Sequence, residues 1–207
     1  MQVEAVFFDF GGVIVASPFE AFRVYEQRRG LPPDAVRTVN STRPDDNAWA
    51  RLERGEIDLD RFVVDFEAEA LSLGYELDGA EVIACLETSV RPPMVAAVRA
   101  CHDRLVTALL TNNPAAMDPV AHPELAEVLS MFDYVTESSV LGFRKPEPRF
   151  YEHACRLAGV DPEAVVFLDD LGVNLKPAAA MGMTTIKVVD PATALAELED
   201  IVGFPLR

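Results

Sequence analysis

The ten residues Val-Phe-Phe-Asp-Phe-Gly-Gly-Val-Ile-Val at positions 6–15 constrain this chain more than any other stretch. An apolar run that ends on a single carboxylate, Asp9, is how a parallel strand covered on both faces delivers an acid to the rim of a sheet. Gly11 and Gly12 follow at once and let the backbone turn sharply. Taken alone, an Asp in this position reads equally well as a polar strand end, so later stretches decide what Asp9 is for.

Beyond a strand predicted over residues 3–8, the pattern changes twice. Residues 17–88 show no strand-like alternation, and apolar residues recur there at helical spacing. Phe19, Phe22, Val24 and Tyr25 mark a first helix, and the breaks at 30–34 and 42–47 end the first helix and the next. Asp58 caps a third with Phe62, Phe66, Ala70 and Leu73 on one side, and residues 78–88 form a fourth. Past Arg91-Pro92-Pro93, strands and helices alternate. Strands are expected over 105–110, 132–136, 165–168 and 184–189. Between and after them lie helices marked by Val95, Val98 and Cys101, a loop and helix over 118–131, one with Phe150, Ala154 and Leu157, and a last one after Asp190-Pro191. This alternation predicts an α/β fold, a doubly wound, Rossmann-like parallel sheet with a helical cap inserted after the first strand. The expected division is 1–16 and 89–207 for the core and 17–88 for the cap.

Three further stretches carry polar chemistry at strand ends. Leu-Leu-Thr-Asn-Asn (109–113) closes a strand with a hydroxyl and an amide, Thr111 and Asn112, which can donate to an anion alongside adjacent backbone N–H groups. In Arg-Lys-Pro-Glu-Pro (144–148), the proline holds Lys145 extended, which suits a side chain reaching from a loop toward a fixed anion. Asp169 and Asp170 end a fourth apolar run; two adjacent carboxylates repel and raise each other's pKa unless a cation sits between them and Asp9. An all-oxygen donor set of this kind points to Mg²⁺.

In this order the four stretches resemble the four motifs of the haloacid dehalogenase-like hydrolase superfamily. The phrases at 145–148, 167–178 and 194–199 resemble most closely the branch that includes the N-terminal phosphatase domain of soluble epoxide hydrolase and the related domain of acyl-CoA dehydrogenase family member ten. Residues 16–88 match only loosely. The resemblance implies a Mg²⁺-dependent phosphatase in which Asp9 attacks phosphorus to form an aspartyl phosphate. It implies that Lys145 contacts both Asp9 and the phosphate, and that Thr111, Asn112 and Asn113 bind the phosphate. Asp9, Asp170 and the Gly11 carbonyl would hold the metal, with Asp169 acting through water, while Asn174 and Gly12 support the loops. Cap residues commonly select the substrate in this superfamily. Arg43, Asp45, Asp46 and Trp49 are the candidates here, in the densest polar and aromatic cluster of the insert.

One position departs from the pattern. Phosphatases of the superfamily usually carry a second Asp two residues after the nucleophile, which protonates the leaving oxygen and later activates water; here that residue is Gly11. An enzyme of this kind is expected to favour good leaving groups or to borrow an acid, for instance Asp45 or Asp46. A non-catalytic domain that binds a phosphorylated ligand or a protein is the alternative. A 2-haloacid dehalogenase is a further one, although those enzymes use no metal and carry Tyr at this position.

Charge narrows the partners. Lys and Arg total 18 against 34 Asp and Glu, a net charge of −16, which repels nucleic acid and anionic membranes and leaves a small phosphorylated substrate to be drawn by local charge. Of only three lysines, Lys145 and Lys176 fall inside the family-like stretches. Three widely spaced cysteines without a CxxC support neither a disulfide framework nor a zinc site. With no basic-then-apolar leader and no apolar run long enough to span a bilayer, a cytoplasmic location is expected.

Overall fold

The computed structural model describes residues 2–86, 89–112 and 123–206. Strands β1 (Ala5–Phe8), β2 (Val106–Thr111), β3 (Tyr134–Glu137), β4 (Val165–Asp169) and β5 (Thr184–Lys187) form one parallel sheet in the order β3-β2-β1-β4-β5. The fold is the doubly wound α/β fold that the alternation predicts.

Successive residues of the central strands point to opposite faces, and both faces are covered. Val6, Phe8, Leu109, Val166 and Leu168 pack with α6 (Pro92–His102) and α11 (Pro191–Val202). Ala5, Phe7, Ala108, Leu110, Val165 and Phe167 pack with α9 (Pro148–Ala158) and α10 (Gly172–Ala180). Two shorter helices, α7 (Pro123–Leu129) and α8 (Ser138–Leu141), flank β3. Because β2 and β3 lie to one side of β1 and β4 and β5 to the other, the winding direction reverses between β1 and β4. A crevice opens at such a reversal, outside the carboxyl ends of the strands.

After β1, the chain makes a tight loop over Phe10–Ile14 closed by the Val15 N–H bonding to the Phe10 carbonyl at 3.1 Å. It then leaves the sheet for helices α1 (Pro18–Arg29), α2 (Ala35–Ser41), α3 (Ala48–Glu53), α4 (Leu59–Ser72) and α5 (Gly79–Ala84). Their apolar faces form a separate cluster drawn entirely from this segment, with Phe22, Tyr25, Val36, Leu52, Phe62 and Phe66 at its centre. The exits to and from the segment run side by side: Val15 bridges Val90, Ala16 N–H bonds to the Ser89 carbonyl at 2.9 Å, and Arg91 N–H to the Ile14 carbonyl at 2.8 Å.

The structure differs from the expected pattern in particular places. The segment holds a fifth helix, α3, whose start is set by the Asn47 side chain accepting from the Ala50 N–H at 2.8 Å. At six residues it is too short for an apolar period to show, and the Asn that caps it belonged to the stretch read as a break. Val24, Leu73 and Leu157, placed on buried faces by spacing, are 60%, 39% and 43% exposed. In α1 the buried residues are Phe22, Tyr25 and Glu26, so Val24 faces the other way. The expected cap at Asp58 is present, accepting from the Arg61 N–H, and Asp78 accepts from the Glu81 N–H in the same way. Asp161 makes no side-chain cap bond. Among the described residues, no helix is long and apolar enough to cross a membrane, and all three cysteines are unpaired.

Candidate active site

The sheet register brings the acids together. Phe8 pairs with Leu168, and the Asp9 N–H donates to the Leu168 carbonyl at 2.8 Å, so the residues that follow, Asp9 and Asp169, stand side by side at the carboxyl edge. Asp170 completes a group of three, and ligand oxygens of Asp9, Asp169 and Asp170 lie within 4.8 Å of one another. Into this cluster reaches Lys145, itself 1% exposed, with Nζ 2.8 Å from Asp9 Oδ1 and 2.7 Å from Asp169 Oδ2.

The three carboxylates are not equivalent. Asp169 is wholly buried and fully occupied by the protein: besides Lys145, it accepts from Asn174 Nδ2 at 3.1 Å on both oxygens and from the Leu171 N–H at 2.8 Å. Asp9 accepts from the Phe10 N–H at 2.6 Å. Asp170 has one side-chain donor, Ser17 Oγ at 3.4 Å. Burial raises the Asp9 carboxyl well above its ordinary range, and Asp169 adds to this while Lys145 opposes it. Burial, and then Asp169, push the Asp170 carboxyl up to about 6. For Lys145, burial alone would lower the pKa, but Asp169 and Asp9 outweigh it and carry the ammonium above its usual value. Three carboxylates therefore face one buried ammonium. The donors are hard oxygens and two negative charges are left over, which fits a divalent cation such as Mg²⁺.

The loop that carries Gly11 and Gly12 is shaped by close approach. Gly12 has φ +74°, and a Cβ built on it would stand 2.2 Å from Asp170 Oδ2. Only glycine fits there. Gly12→Ala is expected to cost at least about 1–2 kcal/mol from the left-handed backbone alone and to displace Asp170. A thermal melt and a Mg²⁺ titration check this, and a variant matching the native chain in both would refute it. Gly11 is different: its φ is −64° and a Cβ there meets nothing within 4 Å. The Gly12 carbonyl accepts from Arg91 Nη1 at 2.5 Å, tying the loop to the return strand of the helical segment.

Thr111 is buried at the end of β2. The Asn112 side chain is engaged by the Lys145 backbone: Oδ1 accepts from the Lys145 N–H at 2.8 Å and Nδ2 donates to its carbonyl at 2.9 Å. Asn113 lies outside the described residues. Among the hydrogen bonds and ion pairs of the described residues, none links Arg43, Asp45, Asp46 or Trp49 to the three carboxylates or to Lys145. Arg43 lies on the surface 3.7 Å from Glu69, and Asp45 and Asp46 are exposed. Trp49 packs edge-on against Phe22, Phe62 and Phe66 inside the helical segment, and its Nε1 donates to Glu53 Oε1 at 2.9 Å.

Sequence reasoning missed three residues that the structure brings to this region: Ser17, Arg91 and Glu53. Ser17 and Arg91 sit at the two crossings between sheet and helices, and the proline that directly follows each was the available signal. Glu53 had none, because it lies at the end of the unpredicted helix α3.

A model of the haloacid dehalogenase-like hydrolases matches residues 3–182. The chain belongs to this family. Among curated members it is 34% identical to acyl-CoA dehydrogenase family member 10 of Mus musculus over 98% of its length and 19% of that protein's. It is 32% identical to bifunctional epoxide hydrolase 2 of Mus musculus over 99% of its length and 40% of that protein's. The chain thus spans less than half of either. A sesquiterpene phosphatase of Aspergillus oryzae is 26% identical over 97% of both chains. Among solved structures, a family enzyme of Bacteroides thetaiotaomicron in complex with magnesium and inorganic phosphate has 18% identity and a TM-score of 0.62, covering 90% of this chain and 94% of its own. The L-2-haloacid dehalogenase of Xanthobacter autotrophicus has 20% identity and a TM-score of 0.63, covering 96% and 83%. These likenesses establish the shared hydrolase fold.

Proposed function

We propose that this chain is a Mg²⁺-dependent phosphatase acting on a small phosphorylated metabolite, with residues 17–88 as a cap over the core formed by 1–16 and 89–207. The observation that carries the reading is the pairing of Asp9 with Lys145 beside two further carboxylates at the switch point of the sheet. Asp9 and Asp170, with the Gly11 carbonyl, would hold the metal, and Asp169, spent on Lys145 and Asn174, would act through water. Mg²⁺ bound there would offset charge on the phosphoryl oxygens and their repulsion by Asp9. Phosphatase relatives and a neighbour solved with magnesium and phosphate support both parts.

In the proposed reaction, an Asp9 carboxylate oxygen attacks phosphorus, the bond to the leaving oxygen breaks, and water hydrolyses the resulting acyl phosphate. Lys145 opposes the upward push of burial on the Asp9 carboxyl and would stabilise the negative charge of the transferring group. Thr111 and Asn113 would orient the phosphate oxygens, while the Asn112 side chain is spent on the Lys145 backbone and Glu53. A cleft of about 530 Å³ between α1 and α5, lined by Ser17, Val24, Tyr25 and Arg28 among others, offers room for the organic part of the ester, and Ser17 is shared with the carboxylate cluster. Arg43, Asp45, Asp46 and Trp49 do not line this cleft, so its own lining, rather than those four, would select the ester. Three unpaired thiols, two of them buried, support cytoplasmic residence.

The test is phosphate release from aryl, acyl, sugar and lipid phosphates with and without Mg²⁺, comparing the native chain with Asp9→Asn. Turnover that needs both metal and Asp9 supports the reading. A second reading, a domain that binds a phosphorylated ligand without turnover, is favoured by Gly11, where the usual acid is missing. Absence of phosphate release across the panel, together with retained phosphate binding, would favour it.

A further inference from the structure

A buried carboxylate outside the metal cluster ties the helical segment to Lys145. Glu53 ends α3 and is 8% exposed, and its oxygens accept from three side chains. Oε1 takes Trp49 Nε1 at 2.9 Å; Oε2 takes Arg144 Nη1 at 2.6 Å and Asn112 Nδ2 at 3.3 Å. Two of these donors belong to the sheet domain and both adjoin Lys145. Arg144 precedes it in the chain, and Asn112 brackets its N–H and carbonyl. Arg144 also donates through Nη2 to the Pro44 carbonyl, so a single guanidinium grips the helical segment at two points.

Packing fixes the same corner. Ser138 Oγ donates to the Glu53 main-chain carbonyl at 2.5 Å, and a Cβ on Gly55 would stand 2.6 Å from the Ser139 carbonyl. A carboxylate at this depth is tolerated only when paired, and Arg144 supplies the charge. Lys145 has the converse problem: a long, flexible, fully buried ammonium must be delivered to one point between Asp9 and Asp169. Its backbone is held by Asn112, and Asn112 is held in turn by Glu53.

We propose that Glu53 is a positioning residue: through Arg144 and Asn112 its carboxylate fixes the backbone of Lys145 and so delivers the ammonium to Asp9 and Asp169. The placement of Lys145 stands on geometry alone, and only its kinetic consequence rests on the phosphatase reading.

Two readouts separate the claims. Reductive methylation of the whole chain, followed by mass spectrometry, reports Lys145 against Lys176 and Lys187, which are exposed and serve as internal references. In Glu53→Gln, Lys145 is expected to react at least about tenfold faster while the references stay unchanged, because loss of a charge-assisted contact favours local opening. The double variant Glu53→Gln/Arg144→Met should react no faster than Arg144→Met alone. Ser138→Ala, which cuts the α3 contact without touching the carboxylate, should protect Lys145 as the native chain does. If Glu53→Gln does not fold, Asn112→Ala reads the far end of the same contact and should expose Lys145 likewise. Lys145 equally protected in the Glu53 or Asn112 variant, or equally exposed in Ser138→Ala, overturns the proposal. In the kinetic arm, an aryl phosphate with Mg²⁺ should show kcat lowered about tenfold or more in Glu53→Gln with KM within about twofold. If the native chain shows no turnover, the phosphatase reading falls and the labelling still decides the role of Glu53.

Discussion

Lys145→Met is expected to lower stability by about 3–5 kcal/mol in metal-free solution near neutral pH, and to leave no measurable phosphatase activity. Methionine fills similar space, so packing is nearly kept and the loss is electrostatic. The only ammonium in the cluster disappears, leaving Asp9 and Asp169 buried and adjacent without their shared partner. The size of the effect should depend on pH in a defined direction. A carboxyl whose pKa is raised in the folded chain takes up a proton as the pH falls, and Asp170 is pushed up to about 6 with Asp9 also raised. As the pH falls through about 6 Asp170 takes up a proton, and the raised Asp9 carboxyl changes in the same direction, so the surplus negative charge of the cluster falls and the penalty should be smaller at pH 5 than at pH 8. Urea unfolding of both chains in chelator at the two pH values measures it. A penalty independent of pH would mean that the loss is one of packing.

The second large effect is a gain. Gly11→Asp is expected to raise turnover of alkyl phosphates by roughly 10²–10⁴-fold, the usual contribution of a positioned general acid. Aryl phosphates should gain far less, because their leaving group needs no proton. The backbone permits the change, since Gly11 has φ −64° and open space where the Cβ would go. The backbone itself carries no penalty, as replacing a glycine in an ordinary conformation reduces the freedom of the unfolded chain. Equal gains on alkyl and aryl esters, or none on either, would show that the missing acid is not what limits the native chain.

How much of this was legible in the sequence follows from the length scale of each signal. Strands β1 and β4 were readable because a strand buried on both faces is a continuous apolar run, and acid follows β1 directly and closes β4. That Asp9 and Asp169 become neighbours follows from the register Phe8–Leu168, which no local pattern encodes; the motif resemblance supplied it instead. Lys145 was placed against Asp9 by resemblance, but its equal contact with Asp169 is a product of three-dimensional packing. Asn112 was expected on the phosphate and is found holding the Lys145 backbone. Its amide has both donor and acceptor, and the nearest unpaired backbone groups claimed them. Trp49 was read as a polar-cluster residue, yet its ring is large enough to be drawn into the aromatic packing of Phe22, Phe62 and Phe66. Helix α3 shows no apolar period because six residues carry too few turns to register one, and Glu53 at its end carries no signal of its own.

The central claim is that Asp9 becomes phosphorylated, and the most direct measurement is a rapid acid quench during turnover of an aryl phosphate with Mg²⁺. Borohydride then reduces any acyl phosphate to homoserine, and peptide mass spectrometry locates it. Homoserine is expected at position 9, absent in chelator and absent in Asp9→Asn. Turnover that persists in Asp9→Asn, or a phosphoryl group trapped on any other residue, would contradict it.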